Sequence, residues 1–432
     1  MNAVPVVIVS AFGRGQSLAA RLAELEIPVA LIDVSEQLGT SAPEDEEGPF
    51  GLFLSGLSKV AQERLHQDDP IQNQEEGWTI VLPDGPLELK SPLTKTRLEK
   101  LRIPLEILET FRDVREGKLN NLSPWMNADL QKSWLVELAA GFASNSLRLY
   151  PEAMASGALL PLDGEFWIRP VTRPGLLQSL QWCERKGVQV RRDYVIIDLA
   201  REGRRHLKGL QFRLKASQTT EILNFEKLVW CLSSEETAFL SEGLAEKLFP
   251  EGALKPSWIW TRFRLRMGPS PERDILPFHS VWIDSLELPW THENLIVLQK
   301  SPSPDLLDAW IRIPAEQRLQ KSYLLDRLGR VLENLAKRFV TVRPVKAEEP
   351  LSSEKTYREV GPSRQPLFDP KTLLSWRGPV DDNIWLHAPE VWSGLGWNSI
   401  LKFEDKIFSQ VEAWWKKREE QRIKREQKGR RP

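Results

Sequence analysis

The stretch VVIVSAFGRGQSLAARLAELEIPVALID, residues 6–33, decides how the rest of the chain is read. It opens with an apolar Val/Ile run around Pro5 to Val9, which predicts a strand buried on both faces. Gln16 to Leu25 follows with Leu18, Leu22 and Leu25 at helical spacing. Pro28 to Ile32 predicts a second buried strand, closed by Asp33. Parallel strands need such a crossover helix, so the unit reads β-α-β.

A dinucleotide fingerprint, G-x-G-x-x-G, occupies this turn in Rossmann folds. Its glycines serve the tight turn, the approach of the pyrophosphate and close helix–strand packing, and an acid about 20 residues on meets the ribose. Here the three positions fall on Ser10, Phe12 and Gly15, and Asp33 takes the acid's place. Ser10 is a mild change. Phe12 is a severe one, because a benzyl group stands where phosphates approach. Gly13 restores backbone freedom one residue later, which leaves a shifted loop open. The scaffold fits the fingerprint; the chemistry of the turn departs from it.

Size allows two or three domains or one large α/β unit with insertions, and the composition is ordinary for a soluble globular protein. The chain has 432 residues, 41% of them hydrophobic and 28% charged, and a net charge of −1. That balance gives no electrostatic argument for nucleic acid or an acidic partner. The two cysteines, Cys183 and Cys231, lie in apolar contexts, so a reducing compartment is expected and the protein is placed in the cytoplasm. No apolar run is long enough to span a bilayer, and the N-terminal run reads as a strand rather than a signal peptide.

Further along, residues 77–90 read as a hairpin around Pro83-Asp84-Gly85, and "SWLVELAAGFA" as a helix. Pro174–Lys186 reads as a helix. A strand-like run, Val188–Leu199, turns at "REGRR" into a second, His206–Lys215. Glu221–Leu232 follows as a strand and 234–247 as one helix. Strand candidates "WIWTRFRLRM", "HSVWIDS", "LIVLQ" and "AWIRI" precede an amphipathic helix, Ser322–Phe339. "NIWLH" is the last strand, and a helix from Trp397 runs into a basic tail.

This order of elements resembles the flavin amine oxidase superfamily, which includes protoporphyrinogen oxidases and phytoene desaturases. Three segments carry the resemblance. The first is residues 6–33 with the following "EQLGTS", where Gly39 matches a flavin-contacting glycine while Thr40 and Ser41 replace the Gly and Arg beside it. The second runs from "RPGLLQSLQWCERKGVQV" to "FEKLVWCLSSEETAFL", where Val195 matches the residue whose backbone meets adenine. The third is "NIWLHAPEVWSGLGWNSILKFEDKIF". There His387-Ala388-Pro389 replaces the family's triplet with its ribityl-binding acid, Glu390 is displaced by one, and Gly394 and Gly396 remain.

The resemblance implies a discontinuous FAD/NAD(P)-binding, Rossmann-like domain of parallel sheet and helices from residues 1–60, 160–240 and 370–415. It implies a substrate-type domain of antiparallel strands and helices from 61–159 and 241–369, followed by a basic tail, 416–432, expected to fray. The implied cofactor is FAD, held by Ser10, Gly13, Arg14, Gly15, Asp33, Gly39, Val195, Gly394 and Gly396. All three turns lose small residues together: Phe12, then Thr40, then Pro389 and Trp397. Two readings follow. In one, the pocket is filled by aromatic side chains, and the protein is a cofactor-free binding or scaffold protein with an apolar pocket. In the other, it is an active FAD-dependent oxidoreductase acting on an amine or an isoprenoid- or porphyrin-like molecule, with pyrophosphate on the amides of Arg14 to Ser17.

Other chemistry finds little support. His66, His206, His279, His292 and His387 show no metal-binding spacing. No nucleophile elbow or P-loop is present, and no residue stands out as catalytic. The tail after Trp414 and Trp415 carries nine basic and three acidic residues. It reads as a solvated helix end, with contact to an anionic membrane surface as the alternative.

Overall fold

The computed structural model describes residues 4–38, 49–56, 78–82, 85–89, 166–202, 206–249, 258–266, 279–283, 295–300, 306–317, 320–338, 366–367, 383–388 and 396–429, with a few isolated positions between them. Strand β1 (Val4–Ser10) lies at the centre of the first sheet, and every residue in it is buried. Helix α1 (Gln16–Glu24) and strand β2 (Val29–Asp33) complete the β-α-β unit, with β2 parallel to β1. Leu18 and Leu22 are buried as the spacing predicts, whereas Leu25 lies just past the helix and is exposed.

The other strands of this sheet come from distant segments. β7 (Gln189–Arg191) pairs parallel with β2. β10 (Thr220–Trp230) pairs parallel with β1 on the other side, and β16 (Ile384–Leu386) pairs parallel with β10. The parallel order is therefore β7-β2-β1-β10-β16. Chain direction across the sheet reverses between β1 and β10, the place where open α/β sheets form a crevice at the strands' carboxyl ends.

β10 serves two surroundings in turn. Its first half, Thr220–Asn224, pairs antiparallel with β9 (His206–Leu214), which pairs with β8 (Tyr194–Glu202). Burial alternates there and becomes continuous at Leu228–Trp230, where the strand enters the parallel layer. One face of an antiparallel ribbon meets water, whereas a parallel strand is covered on both.

The single strand expected over Val188–Leu199 is two strands, broken at Arg192-Asp193. β7 stays with the parallel sheet, and β8 leaves it for the ribbon. Before β7, helix α3 (Arg173–Arg185; α2 is Ser35–Leu38) closes at Gly187 in the left-handed region, φ 90°. Val188 N–H then reaches the Cys183 carbonyl at 3.1 Å.

The single helix expected over 234–247 is also two, α4 (Ser234–Leu240) and α5 (Glu242–Leu248), because Ser241 is extended. A capping box on Ser233 and Glu236 opens the first.

A second sheet has the order β15-β11-β14-β13-β12-β4-β5. Its strands are β4 (Trp78–Leu82), β5 (Gly85–Leu89), β11 (Trp258–Arg266), β12 (His279–Ile283), β13 (Leu295–Lys300), β14 (Leu306–Pro314) and β15 (Pro366–Leu367). The expected 77–90 hairpin is its β4–β5 edge. β3 (Pro49–Gly56) and β6 (Phe166–Thr172) form a separate pair. Helix α6 spans Lys321–Arg338. The helix proposed for "SWLVELAAGFA" lies outside the described residues.

The last helix, α7 (Gly396–Gly429), runs on into the basic segment. Side-chain pairs at helical spacing support it: Lys416–Glu412 at 2.7 Å, Arg422–Glu419 at 2.8 Å and Arg422–Glu426 at 2.7 Å. Arg418 anchors it to β10 through Glu226 at 2.6 Å and lies over the Trp415 ring at 4.7 Å.

Candidate functional site

The carboxyl ends of β1, β2, β10 and β16 collect part of the set singled out in the sequence. Ser10 is opposite Asp33 in the sheet, and Val9 is opposite Trp230, which is opposite Leu386. His387 follows at once, its N–H donating to the Trp230 carbonyl at 2.7 Å. This convergence is the Rossmann arrangement, and the turn at its centre is Ser10 to Gly15.

That turn is held open by left-handed backbone. Phe12, Gly13 and Gly15 have φ of 52°, 86° and 80°. Glycine adopts these values freely, and a bulky residue does so at a cost of about 1–3 kcal/mol. Gly15 is also needed for space. A Cβ there would lie 2.7 Å from Cys231 Sγ and 3.0 Å from Ile8 Cγ2. It therefore performs the packing task of the fingerprint's third glycine.

Several polar groups of the turn are bonded from within the chain. Ser10 Oγ donates to the Arg14 carbonyl at 2.7 Å. Phe12 N–H donates to Ser35 Oγ at 2.7 Å. Ser35 in turn gives its N–H to Asp33 Oδ1 and its hydroxyl to Asp33 Oδ2, both at 3.1 Å. Arg14 N–H reaches the Ala11 carbonyl at 3.1 Å, and Gln16 N–H the Gly13 carbonyl at 3.3 Å. Gly15 N–H donates to Glu404 Oε1 at 3.1 Å.

The charged side chains are likewise internal. Arg14 is buried and places Nη2 2.6 and 2.8 Å from the two carboxylate oxygens of Glu236. Glu236 Oε2 also accepts the Ser233 N–H at 2.7 Å, so the helix cap and the ion pair share one carboxylate. Asp33 is buried, and burial pushes its carboxyl up to about 6 against the lowering effect of the Ser35 bonds. Glu404 and His387 are fully buried, with His387 Nε2 3.3 Å from Glu404 Oε1. The Phe12 side chain is buried as well, and the Arg14 guanidinium lies 5.9 Å from its ring centre.

Of the sequence-predicted cofactor contacts, the structure brings together Ser10, Gly13, Arg14, Gly15 and Asp33. Val195 lies near the start of β8, the strand at the far end of the sheet order from β2 and β7, and is paired with Arg213. Gln37 of α2 ties that strand to the crevice by donating to the Tyr194 carbonyl at 2.6 Å. Gly396 begins α7. Gly39 and Gly394, with Thr40, Ser41 and Pro389, lie outside the described residues, as does the side chain of Trp397.

Four participants were missed: Ser35, Glu236, Glu404 and His387's partnership with it. Ser233 and Glu236 carry a readable capping-box spacing. Glu404 interrupts the apolar stripe Leu401, Ile407 and Val411 of α7, and a charge there is the visible sign of a buried partner.

These contacts do not fit a dinucleotide in this arrangement. A pyrophosphate on the amides of Arg14 to Ser17 has to break an existing bond at Arg14, Gly15 and Gln16, and at Gly15 it meets a carboxylate. A ribose on Asp33 has to reach a buried acid already bonded through both oxygens. Among the described residues no cluster of His, Cys, Asp and Glu could hold a metal ion. No helix among them is long and apolar enough to cross a membrane.

No protein-family profile and no curated relative matches the sequence. Solved structures do match the fold. An oxidoreductase from Methanosarcina mazei superposes with a TM-score of 0.54 at 14% identity, covering 93% of this chain and 99% of that one. Putrescine oxidase, bound to putrescine, gives 0.52 at 13% identity, over 95% and 99%. A geranylgeranyl bacteriochlorophyll reductase-like protein from Thermoplasma acidophilum gives 0.51 at 12% identity, over 97% and 84%. The chain has the α/β, FAD/NAD(P)-binding Rossmann type of fold; likeness at this identity speaks for architecture alone.

Proposed function

We propose that this chain keeps the architecture of an FAD-linked oxidoreductase without its cofactor, and serves as a non-catalytic binding or scaffold protein. One observation carries the reading: the Phe12 amide and the Asp33 carboxylate are joined through Ser35. Phosphate approach and ribose recognition use those two groups in a dinucleotide site. Here they hold each other, and the Phe12 ring is buried. We assign the cofactor-like layer to residues 1–60, 160–240 and 370–415 and the second sheet to the intervening segments. An apolar small molecule is the ligand class we assign to that second unit. We also place the protein in a reducing compartment, because both cysteines are free and buried.

The test is spectroscopic. Purified protein should show no flavin absorption near ~450 nm and release none on denaturation. Added FAD should leave the melting temperature unchanged, whereas a ligand at 100 times its Kd stabilises by about 2.7 kcal/mol. A bound flavin would instead favour the second reading, an FAD-dependent oxidoreductase acting on an amine or an apolar substrate. The fold it shares with putrescine oxidase is the reason to keep that arm of the experiment.

A further inference from the structure

Helix α1 starts without a cap of its own. Gly15 offers no side chain, and the first turn contains no acidic residue. A buried helix end with free N–H groups and a positive dipole end needs an acceptor. The chain brings one from 389 positions away: Glu404 Oε1 accepts the Gly15 N–H at 3.1 Å. His387 Nε2 faces the same oxygen at 3.3 Å, and neither side chain is exposed.

The seat has polar capacity left over. Glu404 Oε2 is buried without a hydrogen-bond partner, and so is Nε2 of Gln16, the first residue of α1. Glu404 Oε2 is an acceptor, so the unused donor here is the Gln16 side-chain amide: the carboxylate matches the charge of this helix end and leaves that one N–H donor unspent. A larger anion with more oxygens has that extra capacity, and helix N-termini in dinucleotide sites receive such a group as pyrophosphate.

We infer that Glu404 is the resident anion of the α1 N-terminus, a carboxylate in the place of a pyrophosphate that locks the C-terminal helix onto the β-α-β unit. This assignment rests on the cofactor-free reading. Removing the carboxylate leaves the Gly15 amide, the helix dipole and His387 as a vacant seat for a phosphate-type anion.

The experiment compares wild type, Glu404→Ala and Glu404→Gln by thermal unfolding. Each is measured with millimolar inorganic pyrophosphate and with sodium chloride at matched ionic strength, which controls for screening. Wild type should not respond to pyrophosphate. Glu404→Ala should melt lower and recover part of the loss with pyrophosphate but not with chloride. Glu404→Gln keeps an acceptor and loses the charge, so its unfolding constant should rise about tenfold. A folded Glu404→Ala blind to pyrophosphate overturns the assignment, as does a wild type stabilised as strongly as the variant. If Glu404→Ala does not fold, the Gln variant decides: a change under about twofold means that the charge has no role. A flavin spectrum from wild type overturns the cofactor-free reading and this assignment with it. A flavin-free wild type with a pyrophosphate-blind Ala variant overturns only the assignment.

Discussion

Arg14 and Glu236 form a two-pronged ion pair, one guanidinium nitrogen lying 2.6 and 2.8 Å from the two carboxylate oxygens, across 222 positions of sequence. The arginine side chain is 3% exposed and the glutamate 11%. A cation beside the turn could have faced an incoming phosphate. It faces the cap of α4 instead, and so joins the first β-α-β unit to the helix that follows β10.

Breaking that pair strands a buried charge. Arg14→Ala should therefore destabilise the protein by about 3 kcal/mol. A double-mutant cycle with Glu236→Ala should give a coupling of about 1–3 kcal/mol in urea unfolding. Additive effects would mean that the pair contributes nothing beyond its separate parts.

Phe12→Gly relieves a strained φ and removes a buried ring. The relief is about 1–3 kcal/mol, and truncating a core phenylalanine costs about 3–5 kcal/mol. The net expectation is a loss of about 2 kcal/mol by denaturant unfolding. An unchanged or raised stability, accompanied by FAD binding, would show that the ring only obstructs the site.

Gly15→Ala puts a Cβ 2.7 Å from Cys231 Sγ and 3.0 Å from Ile8 Cγ2, at a φ of 80°. Strain and overlap act together, and a loss of about 2–4 kcal/mol is expected. Adding Cys231→Ala removes the sulfur contact and should restore part of that loss. Equal stability of the single and double variants would place the cost in the backbone alone.

Asp33 makes stability depend on pH. Its folded-state carboxyl is raised from 3.8 to about 6, chiefly by burial. Between these values the folded state holds a proton that the unfolded state has lost, so stability falls as pH rises through that window. The penalty is absent below the unfolded value and fully present above about 6, at an upper bound on the order of 3 kcal/mol. Asp33→Asn should flatten that segment of the stability–pH profile. A slope preserved in the variant would assign it to another group.

The end of α7 should be dispensable for stability. Residues 421–427 are all exposed. Deleting the chain from Gln421 should reduce helical circular dichroism yet change stability by under about 0.5 kcal/mol. Arg418→Ala should cost up to about 1 kcal/mol, because its Glu226 partner is well solvated. A larger effect from the deletion would reveal a contact made by the last turns.

The β-α-β opening was legible because each element is specified locally. Val6 to Val9 and Val29 to Ile32 are continuous apolar runs, and continuous burial is what a central parallel strand demands. The split of 188–199 into two strands was not legible. Arg192-Asp193 carries no breaker, and the break exists because β7 and β8 pair with different neighbours. The division of 234–247 at Ser241 has the same character, since serine suits either backbone.

From sequence came the strand–turn–helix order, the three altered turns and the suspicion attached to Phe12, all of which depend on neighbours within a few residues. Only tertiary structure decided what the residues of the first turn do. Gly15 meets Glu404 and Arg14 meets Glu236 because sheet pairing brings β1, β10 and β16 side by side. Hydrogen bonding acts over about 3 Å, and no local pattern encodes which distant acid will arrive within that reach.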